Sequence, residues 1–106
     1  MVIREWRGRA ALSTTDAYPE HFRETVLPEL RGLSGFAGAY LSRRPIDGGM
    51  EFLVLTFWRS ADSIRAFAGD EIGKAIVEPA AVAALTDFDP TVRHYDVVED
   101  AGPSAA

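Results

Sequence analysis

The sequence predicts an α+β domain with the element order β-α-β-β-α-β. This is the split βαβ, or ferredoxin-like, arrangement with a four-stranded antiparallel sheet and its helices on one face. Two observations lead to this prediction. Short runs of β-branched, aromatic and aliphatic residues alternate with stretches whose apolar residues have helical spacing. In addition, the Asp-Gly step at 47–48 predicts a tight hairpin between the second and third strands.

The composition fits one globular domain. The chain has 106 residues, of which 47% are hydrophobic and 25% charged. Its net charge of −5 argues against nucleic-acid binding. No apolar run approaches the ~20 residues of a membrane span, and the start of the chain lacks the apolar core of a signal peptide. We therefore expect no membrane partner, a cytoplasmic location, a domain over residues 1–98 and a disordered tail over residues 99–106.

The first strand and the first helix are predicted in that order. Residues 2–10 fit a strand, and the following stretch carries helix-start signals. Pro28 falls late in the helical pattern and is expected to kink or end the helix. The apolar stripe of this helix repeats every four residues and consists of Tyr18, Phe22, Val26 and Leu30.

The later elements follow from similar signals. Residues 36–44 fit the second strand. Ser60 is expected to cap a short helix that ends at Gly69. An alanine-rich stretch over residues 71–85, interrupted by Pro79, predicts further helix, and residues 91–98 predict the last strand.

The third strand, which ends at Trp58, is apolar on both faces. Helices on one side of the sheet can cover only one of them, and a bare patch of that size is unusual on a monomer. The sequence therefore predicts a homodimer in which two copies of the sheet face each other. The two faces consist of Phe52, Val54, Thr56 and Trp58, and of Leu53, Leu55 and Phe57.

A resemblance to a known family is carried by three stretches, EFLVLTFWRSADSIRAFAG, AIVEP and FDPTVRHYDVV. They resemble the antibiotic biosynthesis monooxygenase family, within the dimeric α/β-barrel superfamily, and the resemblance spans residues 2–98. It implies a ferredoxin-like protomer, a dimeric α/β barrel, and a pocket between the sheet and the helices of each protomer.

Two branches of that family give different expectations. Oxygenases of aromatic polyketides are similar in having a tryptophan at the strand end, matched here by Trp58. They often have an Asn four residues earlier, where this chain has Val54. The haem-degrading branch uses the same Trp, an Asn on the first strand and a His on the following helix. This chain contains no Asn and no His between Arg59 and Glu78, so haem degradation is not predicted.

The resemblance implies a cofactor-independent monooxygenase acting on a small aromatic or quinol-type molecule. Such chemistry needs a base, an apolar pocket for a flat ring and donors for its anion. His94 and Trp58 are the candidate catalytic residues. Asp96, two residues from His94 on the same strand face, would raise the basicity of the histidine. The candidate substrate-binding residues are Tyr18, Phe22, Phe52, Val54, Tyr40 and Tyr95.

Each of these residues also has a purely structural interpretation. Trp58 can be a core residue, and the His94–Asp96 pair can lie on the surface. We expect His21 at a rim or exposed position. The chain has two histidines and no cysteine, so the sequence implies no metal site and no cofactor. A polyketide-type cyclase or isomerase and a non-catalytic, stress-related binding dimer stay open as alternatives.

Overall fold

The computed structural model describes residues 1–103 and has five strands. They are β1 (Val2–Ala11), β2 (Phe36–Ile46), β3 (Gly49–Trp58), β4 (Asp87–Phe88) and β5 (Arg93–Asp96). A 3₁₀ turn, Leu12–Thr14, follows β1. The helices are α1 (Ala17–His21), a π-helical segment (Phe22–Val26), α2 (Leu27–Arg31), α3 (Ala61–Ala68) and α4 (Pro79–Ala84).

The sheet is antiparallel throughout, in the order β2-β3-β1, with β4 and β5 on the free edge of β1. This confirms the predicted α+β fold with its antiparallel sheet. The last strand, predicted as one piece over residues 91–98, is divided in two. Pro90 lies in the gap and has no N–H for a ladder bond. Within the gap, the carbonyl of Asp89 accepts a side-chain hydrogen bond from Nε1 of Trp6 at 2.8 Å.

The first helical region runs from α1 through the π-helical segment into α2. The sequence predicts that Pro28 kinks or ends the helix. The helix does not end there but continues to Arg31. The N–H of Leu27 donates to the carbonyl of Phe22, which is the wider spacing of a π turn. The π turns directly precede the proline, whose missing N–H removes one α-type hydrogen bond.

The start and end of α3 are confirmed. The Ser60 hydroxyl accepts from the N–H of Ser63 at 3.2 Å, and Gly69 follows the helix with a φ of 76°. The helix predicted over residues 71–85 is wrong for its first half, since only α4 forms. Pro79 starts that helix and disfavours helical geometry at the residue before it.

The chain between α3 and α4, residues 69–78, lies against the segment before β5. The N–H of Ala75 donates to the carbonyl of Pro90 at 3.0 Å, and the N–H of Val92 donates to the carbonyl of Gly73 at 2.9 Å. Apart from an isolated β-bridge at Lys74, residues 69–78 have no helix or strand. We call them the 69–78 segment.

The two faces of β3 separate as the sequence predicts. The inner face, covered by the helices, buries Phe52, Val54, Thr56 and Trp58. The outer face carries Leu53, Leu55 and Phe57, all half-buried. The inner side has two groups of core residues. One consists of Ala10, Tyr18, Phe22, Phe52, Val54 and Ala81. The other, the Trp58 cluster, consists of Leu30, Trp58 and Ile64.

The chain end after β5 carries no helix or strand over residues 97–103. The N–H of Val97 donates to the Met1 carbonyl at 2.9 Å. The expected tail over residues 99–106 lies partly outside the described residues, which end at 103. Within residues 1–103, no helix is both long and apolar enough to cross a membrane.

Candidate functional site

A cavity of about 60 Å³ lies between the inner face of the sheet and the helices. We call it the Arg4 cavity, because Arg4 is the one arginine in its lining. The walls are mainly aromatic and aliphatic, and the polar groups are few. The lining residues are Arg4, Trp6, Tyr18, His21, Phe22, Val26, Leu30, Val54, Thr56, Phe67, Ile76, Val77, Glu78, Ala81 and Val92.

Arg4 is buried, with 5% of its surface exposed. Its Nη1 donates to the Ile72 carbonyl at 2.5 Å, and its Nη2 donates to the Lys74 carbonyl at 2.9 Å. The guanidinium carbon lies 5.8 Å from the centre of the Phe67 ring, within cation–π range. Burial lowers the pKa of Arg4 to about 10, so it remains charged at neutral pH.

His94 contacts Arg4 rather than the cavity. Nη1 of Arg4 lies 3.1 Å from its Nε2. A guanidinium can only donate, so His94 Nε2 accepts and the ring is neutral. Burial, and then the Arg4 charge, lowers the pKa of His94. The expected rise in basicity from Asp96 is therefore wrong in direction, because Asp96 is exposed and the stronger neighbour is a cation.

His21 is the histidine that reaches the cavity. It is half-buried, and its Nε2 is buried without a hydrogen-bond partner within residues 1–103. The half-buried side chain fits the expected rim position rather than an exposed one, although its Nε2 is buried. His21 lies one helical turn after Tyr18, and the two ring centres are 6.2 Å apart. An unpartnered buried ring nitrogen is a costly feature, and it can be satisfied by a ligand hydroxyl.

The aromatic wall centres on Tyr18. Its ring lies 5.7 Å from Trp6 and 5.4 Å from Phe52, centre to centre. Burial raises the pKa of Tyr18 well above its usual value, and the charge of Glu78 adds to the effect. The phenol is therefore neutral at neutral pH and can donate a hydrogen bond.

Only part of the predicted substrate-binding set meets at this site. Tyr18, Phe22 and Val54 line the Arg4 cavity. Phe52 is fully buried behind them. The interpretation of Tyr40 and Tyr95 as lining residues of the same pocket is wrong. Tyr40 and Tyr95 pair with outer-face residues of β3 and β1, and their exposed fractions are 48% and 47%.

Trp58 lies behind the cavity wall. Its ring is fully buried, and its Nε1 donates to the Thr56 hydroxyl at 2.8 Å. It also stacks on Phe67, with ring centres 6.1 Å apart. Thr56 and Phe67 both line the cavity, so Trp58 supports two wall residues without reaching the space itself.

The sequence contained signals for the position of Arg4 and His21 in the cavity, which the prediction did not assign to them. Alternation along β1 puts Arg4 on the same face as Trp6, among inward-facing small and apolar residues. An arginine at an inward-facing position of such a strand indicates that its positive charge lies inside the protein. His21 follows Tyr18 at the i, i+3 spacing that shares a helix face, whereas the stripe was traced at intervals of four. Within residues 1–103, no group of three or more His, Cys, Asp or Glu residues could hold a metal ion.

The chain was compared with family models, with curated proteins and with solved structures. Residues 1–79 match the family model described as antibiotic biosynthesis monooxygenase. None of the curated proteins matches the chain in sequence. A candidate antibiotic biosynthesis monooxygenase from Bacillus cereus has 17% identity and a TM-score of 0.67, covering 98% of this chain and 97% of that one.

Two further solved structures are similar. One is a candidate antibiotic biosynthesis monooxygenase from Deinococcus radiodurans, with 15% identity and a TM-score of 0.62, covering 99% of this chain and 100% of that one. The other is the heme-degrader MhuD from Mycobacterium tuberculosis with two hemes in its active site. It has 21% identity and a TM-score of 0.57, covering 96% of this chain and 100% of that one. At these identities the likeness shows a shared fold.

Proposed function

The chain belongs to the antibiotic biosynthesis monooxygenase family, and we propose that it is a cofactor-independent monooxygenase of a small aromatic or quinol-type molecule. The observation that supports this most is the Arg4 cavity. Its walls are aromatic and aliphatic, and it contains a buried cation and a ring nitrogen that has no partner within residues 1–103. These are the groups that deprotonation of a phenol and stabilisation of its anion require.

The reaction needs no external reductant, because the substrate supplies the electrons. Nε2 of His21 takes the acidic proton, and the guanidinium of Arg4 stabilises the resulting anion. The anion passes one electron to O2, and the two radicals combine to form a C–O bond. The protonated His21 returns its proton to the peroxide, and loss of water from the resulting hydroperoxide leaves one oxygen atom on the carbon. The balance is one quinol and one O2 to one hydroxyquinone and one water.

The cavity must widen before it admits a ring. A cavity on the order of 150 Å³ accommodates a benzene molecule, whereas the Arg4 cavity measures about 60 Å³. One of its walls, Ile76 to Glu78, belongs to the 69–78 segment, which has little regular structure. Ile76 is also largely exposed. This wall is therefore the one that can move outward at the smallest cost.

Oxygen uptake with 1,4-naphthohydroquinone tests the proposal. The assay contains a metal chelator and is corrected for uptake without protein. We expect protein-dependent uptake with formation of the hydroxynaphthoquinone, and a loss of about 100-fold in kcat for His21→Leu. Glu20→Gln, on the exposed side of the same helix, is the matched control. Conversion of a substrate without oxygen uptake would favour the cyclase or isomerase, and binding without conversion would favour the non-catalytic dimer.

His94→Gln in the same assay separates the two histidines. His21 reaches the cavity, whereas Nε2 of His94 is occupied by Arg4. We therefore expect the larger loss of kcat at His21. A larger loss at His94 would restore the original assignment of His94 as the base.

Haem degradation remains outside the proposal. The chain contains no Asn, and the helix after β3 carries no histidine. Haem titration followed by a reductant under air tests this. We expect the Soret band to decay no faster than that of free haem, and faster catalytic decay would contradict the expectation.

We also propose that the outer sheet face forms a homodimer. Ile3, Leu55 and Phe57 are adjacent on this face, and all are half-buried in the isolated protomer. The Tyr40 ring packs edge-on against Phe57, with centres 5.7 Å apart. Covering this apolar patch with a second copy would contribute roughly 25 cal/mol per Å².

Sedimentation at micromolar concentration tests the dimer. Leu55→Asp places a carboxylate beside Glu5, its partner on β1, and should give a folded monomer. Leu12→Asp is the matched control, because Leu12 is 66% exposed and lies off the sheet. A monomeric wild-type protein, or a Leu55→Asp variant that remains dimeric, would contradict the proposal.

A further inference from the structure

The arginines of β1 differ in how their charges are balanced. On the outer side, Arg9 forms salt bridges with Glu51, Asp87 and Asp89, and Arg7 forms one with Glu5. On the inner side, Arg4 forms no salt bridge with any carboxylate of residues 1–103. The chain has 16 acidic and 11 basic residues, so carboxylates are abundant. The single buried guanidinium is nevertheless left without one.

Neutral groups hold Arg4 in place. Two backbone carbonyls and the His94 ring accept from Nη1 and Nη2. The hydrogen bonds of Arg4 within residues 1–103 all come from Nη1 and Nη2, and none comes from Nε. Carbonyl oxygens satisfy hydrogen bonds, but they do not neutralise a charge. A cation buried in this way is stabilised when an anion joins it.

Two charged side chains of opposite sign, Arg4 and Glu78, line the cavity. Arg4 lies beside the Phe67 ring. Glu78 acts on Tyr18, whose pKa is raised first by burial and further by the Glu78 charge. A flat molecule with an anionic oxygen would therefore enter with that oxygen towards Arg4 and its ring among the aromatic side chains.

We propose that Arg4 binds an anionic oxygen of the substrate, so that the cavity selects flat aromatic molecules carrying a carboxylate or a phenolate. The inference rests on the proposed function for the identity of the cavity as the substrate site. Charge-assisted bonds to a guanidinium are about twice as strong as neutral ones and can be bidentate. The net charge of −5 repels anions from the protein as a whole, so selectivity for an anion must come from a local group.

Titration calorimetry of the full chain with 2-naphthoate and 2-naphthamide tests this inference. The two probes share the ring and differ in charge. We expect 2-naphthoate to bind roughly tenfold or more tightly than the amide. Arg4→Met should remove that advantage, so that the variant binds the two probes with nearly equal affinity. Arg23→Met removes an exposed arginine of the π-helical segment and should change neither affinity.

The outcomes separate this inference from the proposed function. Equal affinities of the wild-type protein for both probes would overturn the anion site and leave an aromatic pocket standing. Failure of both probes to bind would contradict the aromatic pocket as well. A preference for 2-naphthoate that survives Arg4→Met would overturn the assignment to Arg4. The comparison of the two probes on the wild-type protein needs no variant. It therefore tests the preference for an anion even if Arg4→Met does not fold.

Discussion

Two neighbouring regions on the inner side of the sheet are packed in opposite ways. In the Trp58 cluster, Trp58 and Ile64 are fully buried, and the indole N–H is paired with a hydroxyl. In the Arg4 cavity, the part of the chain that the structure describes supplies no anion for the buried cation and no partner for His21 Nε2. One region thus satisfies every group that it buries, and the other leaves space and polar groups for a ligand. Both use the same strand, so strand pairing alone does not decide which region can bind.

An identical substitution in each region should give the largest contrast. Ile64→Ala empties a fully buried site and is expected to lower the free energy of unfolding by about 2–5 kcal/mol. Ile76→Ala trims a cavity wall that is 44% exposed, and is expected to cost less than about 1 kcal/mol. Urea unfolding of both variants measures the difference. Equal costs would mean that the cavity wall is packed as firmly as the cluster.

Trp58→Phe tests whether the two regions are separable. The smaller ring leaves a void and removes the bond to Thr56, at an expected cost of about 1–3 kcal/mol. Because the indole does not line the cavity, the affinity for 2-naphthamide should change little. Melting temperature and titration on the same variant provide both measurements. A large loss of affinity in a variant of unchanged stability would place Trp58 in the site.

Arg4→Met should loosen one wall of the cavity while sparing the cluster. The guanidinium holds the carbonyls of Ile72 and Lys74, so its loss frees the 69–78 segment. We expect tryptic cleavage after the exposed Lys74 to accelerate by about tenfold. Cleavage after Arg65, on α3, is the internal reference. Equal acceleration at both sites would indicate global unfolding rather than release of the segment.

The smallest expected effect is a pH dependence from His94. Its pKa is lowered by burial and by Arg4, so the native state binds this proton less readily than the unfolded chain. The neutral His94 ring contributes fully to the free energy of unfolding at pH values above its ordinary pKa of about 6.5. This contribution is lost as the pH falls through the lowered pKa of the folded state. His94→Gln, whose amide oxygen accepts from Arg4, should flatten this loss. Parallel stability curves for variant and wild type would refute the prediction.

Local patterns explain why much of the fold was predictable. The two faces of β3, the cap at Ser60 and the end at Gly69 depend on neighbours within a few residues, and all are confirmed. The first half of the helix predicted over residues 71–85, which does not form, shows the limit. Its alanine content favours a helix, but Gly73 and Ala75 bond instead to the chain around Pro90. A contact with a distant segment overrode the local propensity.

The sequence by itself determined the order of the strands, the faces of β3 and the presence of an aromatic, cysteine-free interior. Only the tertiary structure decided which polar groups that interior contains. Arg4 meets Ile72 and His94 across 68 and 90 positions of the chain, and no local periodicity encodes such a meeting. The same contacts lower the pKa of His94 and leave His21 as the histidine of the cavity. Periodicity reports which face a residue occupies, whereas the chemistry of a site depends on what the rest of the chain brings to that face.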